Sequence, residues 1–481
     1  MWTVSRVPRR TVFCLLVFIV SGATPALARD TTITGSVGTV FDYLERTYKY
    51  GDNAGSGDNA DRQKIGIQPE ILVVSRDVRD TLSLRYSPTL SHDYALKRGN
   101  GVDHQLDFQG ERWLSQFWSI SMSDMYTRSD DPDTANRDYP NDVSGNGSGQ
   151  ATPGNTANQL SNDLNGQKFW SNTFNAQTSY AVDKDSTIGG GYSYSLLRYD
   201  DSATGGQNYD RHSFFTNLSH GFTPNWRSNL GLNYTRGLYD NTQQLNVNST
   251  ATPDLDQYGF NFGIDYVRNP HDFYPFSYSL NKTLYDGDTS PNSATHSWSL
   301  GWNHAFDSRT RMTLGGGPSY AKVQGQDGTW GYNAYATLMR AYEHAALSLD
   351  LRKTYEMNNF TGSSADSGLT DTYSARATLT YSHTEHLTFN VYGGYRSESN
   401  FDPQGAYRIA AGTASTGKTG DNSYDRNIYE AGIGFTYSFA RWYTAALKYG
   451  YYVSDGKLEN DQYTDHIILF TLSAKRDLWR W

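Results

Sequence analysis

Polar and apolar positions alternate strictly along residues 372–381. Tyr373, Ala375, Ala377, Leu379 and Tyr381 fall on one side, and Thr372, Ser374, Arg376, Thr378 and Thr380 on the other. A short polar turn, Ser382 to His386, follows. Residues 387–396 then alternate again, with Leu387, Phe389, Val391, Gly393 and Tyr395 against Thr388, Asn390, Tyr392, Gly394 and Arg396. Period two predicts strands. Arms of about ten residues, tilted near 40°, cross roughly 25 Å of hydrocarbon. The aromatic-ended face suits lipid and the Ser/Thr/Asn/Arg face suits water. The hairpin reads as one unit of an outer-membrane β-barrel.

The unit recurs along the chain. Short turns are predicted at 75–80, 114–118, 183–186, 223–226, 268–272, 307–310, 342–344, 382–386 and 439–442. Longer loops are predicted near 51–61, 96–102, 128–172, 200–210, 240–256, 286–294, 322–329, 358–370, 399–424 and 454–463. Ten loops alternating with nine turns make about 20 strands (range 18–22), an even number with both termini on the short-turn side. The expected fold is an all-β, transmembrane, antiparallel up-and-down barrel. Pro69 and Pro88 lie about equally far from the 75–80 turn, so they should sit roughly opposite each other. Each deletes a ladder donor there and predicts a local kink.

Aromatic residues gather beside the short turns (Trp113, Phe117, Trp118, Trp226, Phe306, Tyr342, Trp442) and beside the loops (Tyr94, Tyr126, Tyr199, Tyr239, Tyr285, Tyr355, Tyr451). These are expected to form two interfacial girdles. The last predicted strand, from Ile467, runs almost to the terminal Trp481.

The N-terminal segment reads differently. Arg6, Arg9 and Arg10 precede an apolar run from Thr11 to Val20, and Ala26-Leu27-Ala28 is a small-x-small pattern. Residues 1–28 are therefore expected to be a signal peptide and residues 29–481 the barrel. Its removal would take three of the 41 basic residues and none of the 50 acidic ones, moving the formal charge from −9 to −12. Such acidity argues against nucleic acid as a partner. The only cysteine, Cys14, lies in this segment, so the barrel is expected to carry no disulfide, thiolate metal site or c-type haem attachment. A mean hydropathy of −0.67 resembles a disordered chain. The 37 tyrosines, 21 phenylalanines and 11 tryptophans exclude that, because disordered chains are aromatic-poor. A barrel reconciles the two, since only every second strand residue need be apolar.

No constellation suggests catalysis, and no cofactor is expected. His383-Thr-Glu-His386 reads as a solvated turn, because zinc needs further ligands in fixed geometry. The Asp/Asn/Gly run 51–61 lacks the spaced carboxylates of a calcium loop. A barrel hydrolase would need Ser and His side by side near the outer leaflet. His220 and His304 occupy outward registers but sit beside short turns. The inward registers carry Lys64, Glu70, Asp93, Asp107, Glu356 and the candidate pore-lining set Arg85, Glu111, Asp265, Arg311, Asp350, Arg352, Arg376, Tyr392, Arg396, Glu398, Glu430 and Lys448. Both signs are present in nearly equal number, which suits a polar conduit for neutral or mixed-charge solutes. A pore dedicated to a polyanion should be lined mainly by Arg and Lys.

The segments Ile67-Gln-Pro-Glu-Ile71, Leu84-Arg-Tyr-Ser-Pro-Thr-Leu90 and Leu387-Thr-Phe-Asn-Val-Tyr-Gly-Gly-Tyr395 resemble the β-barrel porin 2 family. Those are outer-membrane barrels associated with exopolysaccharide and PEP-CTERM gene clusters. The resemblance implies an outer-membrane location in a Gram-negative cell, assembly by the barrel-assembly machinery, contact with outer-membrane lipid, and a link to polysaccharide export. It implies no catalytic residues. Three function classes follow: a weakly charge-selective channel for hydrophilic solutes, a non-conducting structural or assembly barrel, and a sheath for a separate partner such as a periplasmic cytochrome. The barrel radius, roughly 20 Å for twenty strands, exceeds what the small inward side chains fill. Only the insert 128–172 looks long enough to narrow such a lumen.

This topology places 128–172 on the cell exterior. Protease added to intact cells should cut within it and spare the short turns. Cleavage at 307–310 or 382–386 instead would invert the arrangement.

Overall fold

The computed structural model describes residues 29–49, 61–95, 99–130, 167–200, 207–240, 253–287, 291–360, 368–400, 425–456 and 462–481. The signal-peptide expectation and most of the 128–172 insert lie outside them. Twenty strands form one sheet: β1 (Asp30–Tyr48), β2 (Arg62–Arg76), β3 (Asp80–Asp93), β4 (Gly99–Ser115), β5 (Trp118–Ser129), β6 (Phe169–Ala181), β7 (Ser186–Tyr199), β8 (Asn208–Thr223), β9 (Trp226–Asp240), β10 (Leu255–Val267), β11 (Asp272–Tyr285), β12 (Ser293–Ala305), β13 (Thr310–Val323), β14 (Thr329–Ala341), β15 (Ala345–Asn358), β16 (Gly368–Ser382), β17 (Leu387–Asn400), β18 (Asp425–Phe439), β19 (Tyr443–Gly456) and β20 (Tyr463–Arg480). Each strand pairs antiparallel with its sequence neighbours. β1 also pairs with β20 from Thr32↔Arg480 to Tyr48↔Tyr463, which closes an antiparallel up-and-down barrel. The backbone amide of Thr31 donates to Trp481 O at 2.9 Å and that of Trp481 to Thr31 O at 3.1 Å, fastening β1 to the end of β20.

The alternation becomes two walls. One continuous ladder row runs Leu347, Leu379, Val391, Ile433, Tyr449, Ile468, Tyr43 across seven neighbouring strands. Leu379, Val391, Ile433 and Tyr449 of this row are exposed, as a lipid-facing belt must be in the absence of lipid. The row one residue away, Ser348, Thr378, Tyr392, Gly432, Gly450, lies on the inner face.

All nine short turns occur where the alternation breaks. The loop edges move by up to four residues; β4 begins at Gly99 and β6 at Phe169, inside the expected loops. Pro69 and Pro88 do oppose each other. The β2–β3 ladder stops at Ile67↔Leu90 and resumes at Ile71↔Tyr86, with Gln68 Nε2 donating to Ser87 Oγ at 2.9 Å inside the gap. Neither proline has an amide hydrogen, so the ladder cannot form there. The loop-side girdle forms only in part: Tyr94 and Tyr451 are exposed, and Tyr126 shares the outward register of Tyr86. Tyr199, Tyr239 and Tyr285 share the inward register and are buried or half-buried inside the barrel. Distance from a loop does not set facing; register parity does. The outer face also carries cross-strand tyrosine–histidine pairs: Tyr86–His104, Tyr192–His212, Tyr278–His296 and Tyr449–His466.

Leu379→Arg should destabilise the refolded barrel by roughly 2 kcal/mol, the low end of the cost at the bilayer midplane because the Tyr381 interface is two residues away. Thr378→Arg should be tolerated. Equal loss in both variants, read by denaturant refolding into lipid vesicles, would reject the register.

Candidate functional site

The inner wall of β15–β20 and β1 carries a dense set of acidic and basic side chains. A single ladder row brings Asp350, Arg376, Gly394, Glu430, Tyr452, Asp465 and Arg46 side by side. Arg376 reaches Glu430 at 3.0 Å, two strands away. The intervening residue is Gly394, where a Cβ would fall 2.5 Å from Glu430 Oε1. Glycine is what lets the carboxylate lie flat against the wall. Tyr392 lies flat in the same way over Gly432, whose Cβ would enter its ring. The guanidinium of Arg376 and the ammonium of Lys448 sit 5.3 and 5.6 Å from the Tyr392 ring centre. Both are cation–π distances. Long side chains laid along the wall leave the lumen wide.

One step nearer the loops, Glu398 accepts from Arg426 at 2.8 Å and pairs with Arg396, which also meets Glu356 at 3.0 Å. Asp465 accepts from Nε and Nη2 of Arg46, each at 2.8 Å, and Asp42 pairs with Arg62 at 3.0 Å. Around the rest of the wall, Arg85 pairs with Asp107 at 2.6 Å, and Asp265 accepts from Asn229 at 2.9 Å opposite Arg227. Asp350 accepts from Thr337 at 3.0 Å and Ser348 at 2.9 Å. Glu111 stands opposite Ser121, Arg311 opposite Met339, and Arg352 opposite Tyr335 and Ser374. All twelve candidate positions occupy the face opposite the apolar belt. They form clusters rather than one ring: β15–β19 hold eight of them together, while Arg85, Glu111, Asp265 and Arg311 stand apart.

Sequence reading missed Arg426, Arg46, Asp42 and Asp465. Their register parity with Glu430, Lys64 and Tyr452 is the signal that identifies them. It also missed a buried cluster on the inner face: Phe169, Leu197, Tyr199, Tyr209, Tyr239, Leu255 and Phe360, with Tyr285 against it. Phe360 comes from the β15–β16 connection, so the 128–172 insert is not the only segment able to enter the lumen. No local pattern in the sequence announces that long-range contact.

The residues weighed for catalysis do not assemble a nucleophile. Ser186 Oγ donates to Asp183 Oδ2 at 2.9 Å and lies 2.7 Å from His220 Nδ1. The serine stands between acid and imidazole, whereas activation needs the imidazole between serine and acid. Asp183 is the hub of the turn. The amide of Asp185 and the Ser186 hydroxyl hold its carboxyl below the usual range. His304 binds Asp272 at 2.8 Å. Among the described residues, no three His, Cys, Asp or Glu side chains converge as metal ligands.

No family model matches the chain, and no curated protein matches it. Among solved structures it is similar to the siderophore receptor PiuA from Acinetobacter baumannii, at 9% identity and a TM-score of 0.49, over 92% of this chain and 82% of that one. It is also similar to Pseudomonas aeruginosa OpdL (10%, 0.40, 93% and 99%) and to Acinetobacter baumannii OccAB3 (9%, 0.43, 92% and 99%). Likeness at this level assigns no residue, so function must be read from the wall itself.

Glu398 is buried and neutralises two arginines at once. Glu398→Ala should cost about 3 kcal/mol, toward the low end for a broken buried pair because Arg396 keeps Glu356. Thermal or denaturant unfolding of the detergent-solubilised barrel measures this. An unchanged midpoint would show that the cluster is solvated rather than structural.

Proposed function

We propose that the chain forms a water-filled channel of the Gram-negative outer membrane that passes hydrophilic, neutral or mixed-charge solutes, saccharides among them, and performs no chemistry on them. The observation that carries this is the inner wall. Acids and bases line it in crossed pairs, with Arg376 on Glu430, Arg396 on Glu356 and Glu398, and Arg85 on Asp107. Such pairing leaves little net field along the axis, while the polar edges of the pairs remain available to water and hydroxyl groups. Wide closure over small inward residues such as Thr378, Gly432 and Gly450 supports a hydrated interior.

The link to exopolysaccharide export rests on the family resemblance of the 67–71, 84–90 and 387–395 segments. A neutral or mixed-charge glycan suits the paired wall better than a polyanion does.

Purified protein in a planar bilayer should give ohmic steps with weak charge selectivity. Deleting 135–165 should raise conductance if that insert also narrows the lumen. A silent protein that stays silent after the deletion would favour the non-conducting structural barrel. Strong anion selectivity would favour a polyanion exporter.

A further inference from the structure

The ladder between β14 and β15 is incomplete. It runs from Ala341↔Ala346 only to Ala334↔Lys353. β15 nonetheless stays paired with β16 as far as Asn358↔Gly368, and β14 with β13 as far as Thr329↔Ala321. Each strand thus continues five residues beyond the last shared pair. The wall parts here along a seam.

What lies beyond the seam shows where the hairpin goes. Tyr355, Met357 and Leu369 pack against Ala321 and Val323 of β13, which share the inward register of Ser319. The chain then reaches farther round the inner face. The Phe360 ring stacks on Tyr239 of β9 at 5.9 Å and meets Tyr209 of β8 edge-on at 5.3 Å. The Arg211 guanidinium lies 4.9 Å from its centre. Tyr239 donates its hydroxyl to Asn359 O, and Tyr285 of β11 donates to Asn359 Oδ1 at 2.9 Å. Room for the ring depends on Gly237, where a Cβ would lie 2.7 Å from Phe360.

The departure point is fixed as firmly. Lys353, the last residue paired with β14, is buried, meets Asp371 at 2.8 Å, and lies 4.1 Å from the Tyr355 ring centre and 5.0 Å from that of Tyr332. Beyond it, Arg396 of β17 holds Glu356. The hairpin therefore stays joined to β16–β17 while its end crosses to β8–β11.

We propose that the loop-side end of the β15–β16 hairpin is the channel's constriction, docked through Phe360 and Asn359, and that this docking sets the size limit for solutes. The inference rests on the channel reading. A hairpin laid over the inner faces of β9–β13 occupies cross-section that the closed wall would otherwise leave to water. Its anchor is an aromatic ring seated in an apolar cluster of the inner face, so burial of the Phe360 ring holds it in place.

Two variants undock the hairpin from opposite sides: Phe360→Ala removes the anchor, and Gly237→Val fills its socket. Both are checked for folding by heat-modifiable mobility, then measured in planar bilayers and by swelling of liposomes in graded neutral oligosaccharides. The proposal expects conductance to rise roughly 1.5- to 2-fold in both, with larger sugars admitted. A silent wild type whose variants conduct also supports it, as tighter closure. A conducting wild type with unchanged variants overturns the constriction and leaves the channel standing. Silence in all three overturns both. A thiol at Leu255→Cys in a Cys14→Ser background reads docking without conduction. It should resist a bulky maleimide with Phe360 present and react in Phe360→Ala, and equal labelling in both overturns the docking.

Discussion

A hydrocarbon layer offers no water to an unpaired strand edge, and that one constraint organises the whole molecule. Each orphaned backbone group would cost several kcal/mol. The chain meets the constraint by pairing every strand with its sequence neighbour and β1 with β20, whose ladder extends from Thr32 to Tyr48. The two terminal hydrogen bonds between Thr31 and Trp481 complete the closure at the short-turn end. Places where the ladder fails are correspondingly informative. Opposite Pro69 and Pro88 a side-chain bond from Gln68 to Ser87 crosses the gap. At Pro318, the facing Trp298 carbonyl accepts from Asn333 Nδ2 at 2.9 Å instead of from the missing amide. At the β14–β15 seam the strands part near the loop side, where water can take over.

Closure at twenty strands creates a second problem, a lumen too wide for side chains to fill. The inner wall answers with charge placed in opposition and with glycine beneath long side chains. Gly394 under Glu430 and Gly432 under Tyr392 turn what would be inward projections into a paved surface. The resulting wall combines width with local neutrality, and on the proposed channel reading size rather than charge selects among solutes. The inward hairpin, docked through Phe360 and Asn359, is the proposed source of a size threshold that the wall does not supply.

Much of this was legible in the sequence. Strict alternation, the polar turns and the length of each arm determined the strand count, the facing of Leu379 against Thr378, and the opposition of Pro69 and Pro88. These are local or period-two properties, and a one-residue slip would turn every apolar side chain into the lumen. The twelve inward candidates followed from parity alone.

Tertiary structure decided what parity leaves open. Tyr199, Tyr239 and Tyr285 stand beside loops and look like interfacial anchors, yet their register turns them inward to receive Phe360. Which acid meets which base depended on inter-strand stagger: Arg376 finds Glu430 across Gly394 rather than its direct neighbour Asp350. The docking of Asn359 and Phe360 on strands more than seventy residues away depended on the wall parting at Lys353. Alternation along one strand records only which side a residue faces; how strands lean and part is set by contacts between residues far apart in the chain.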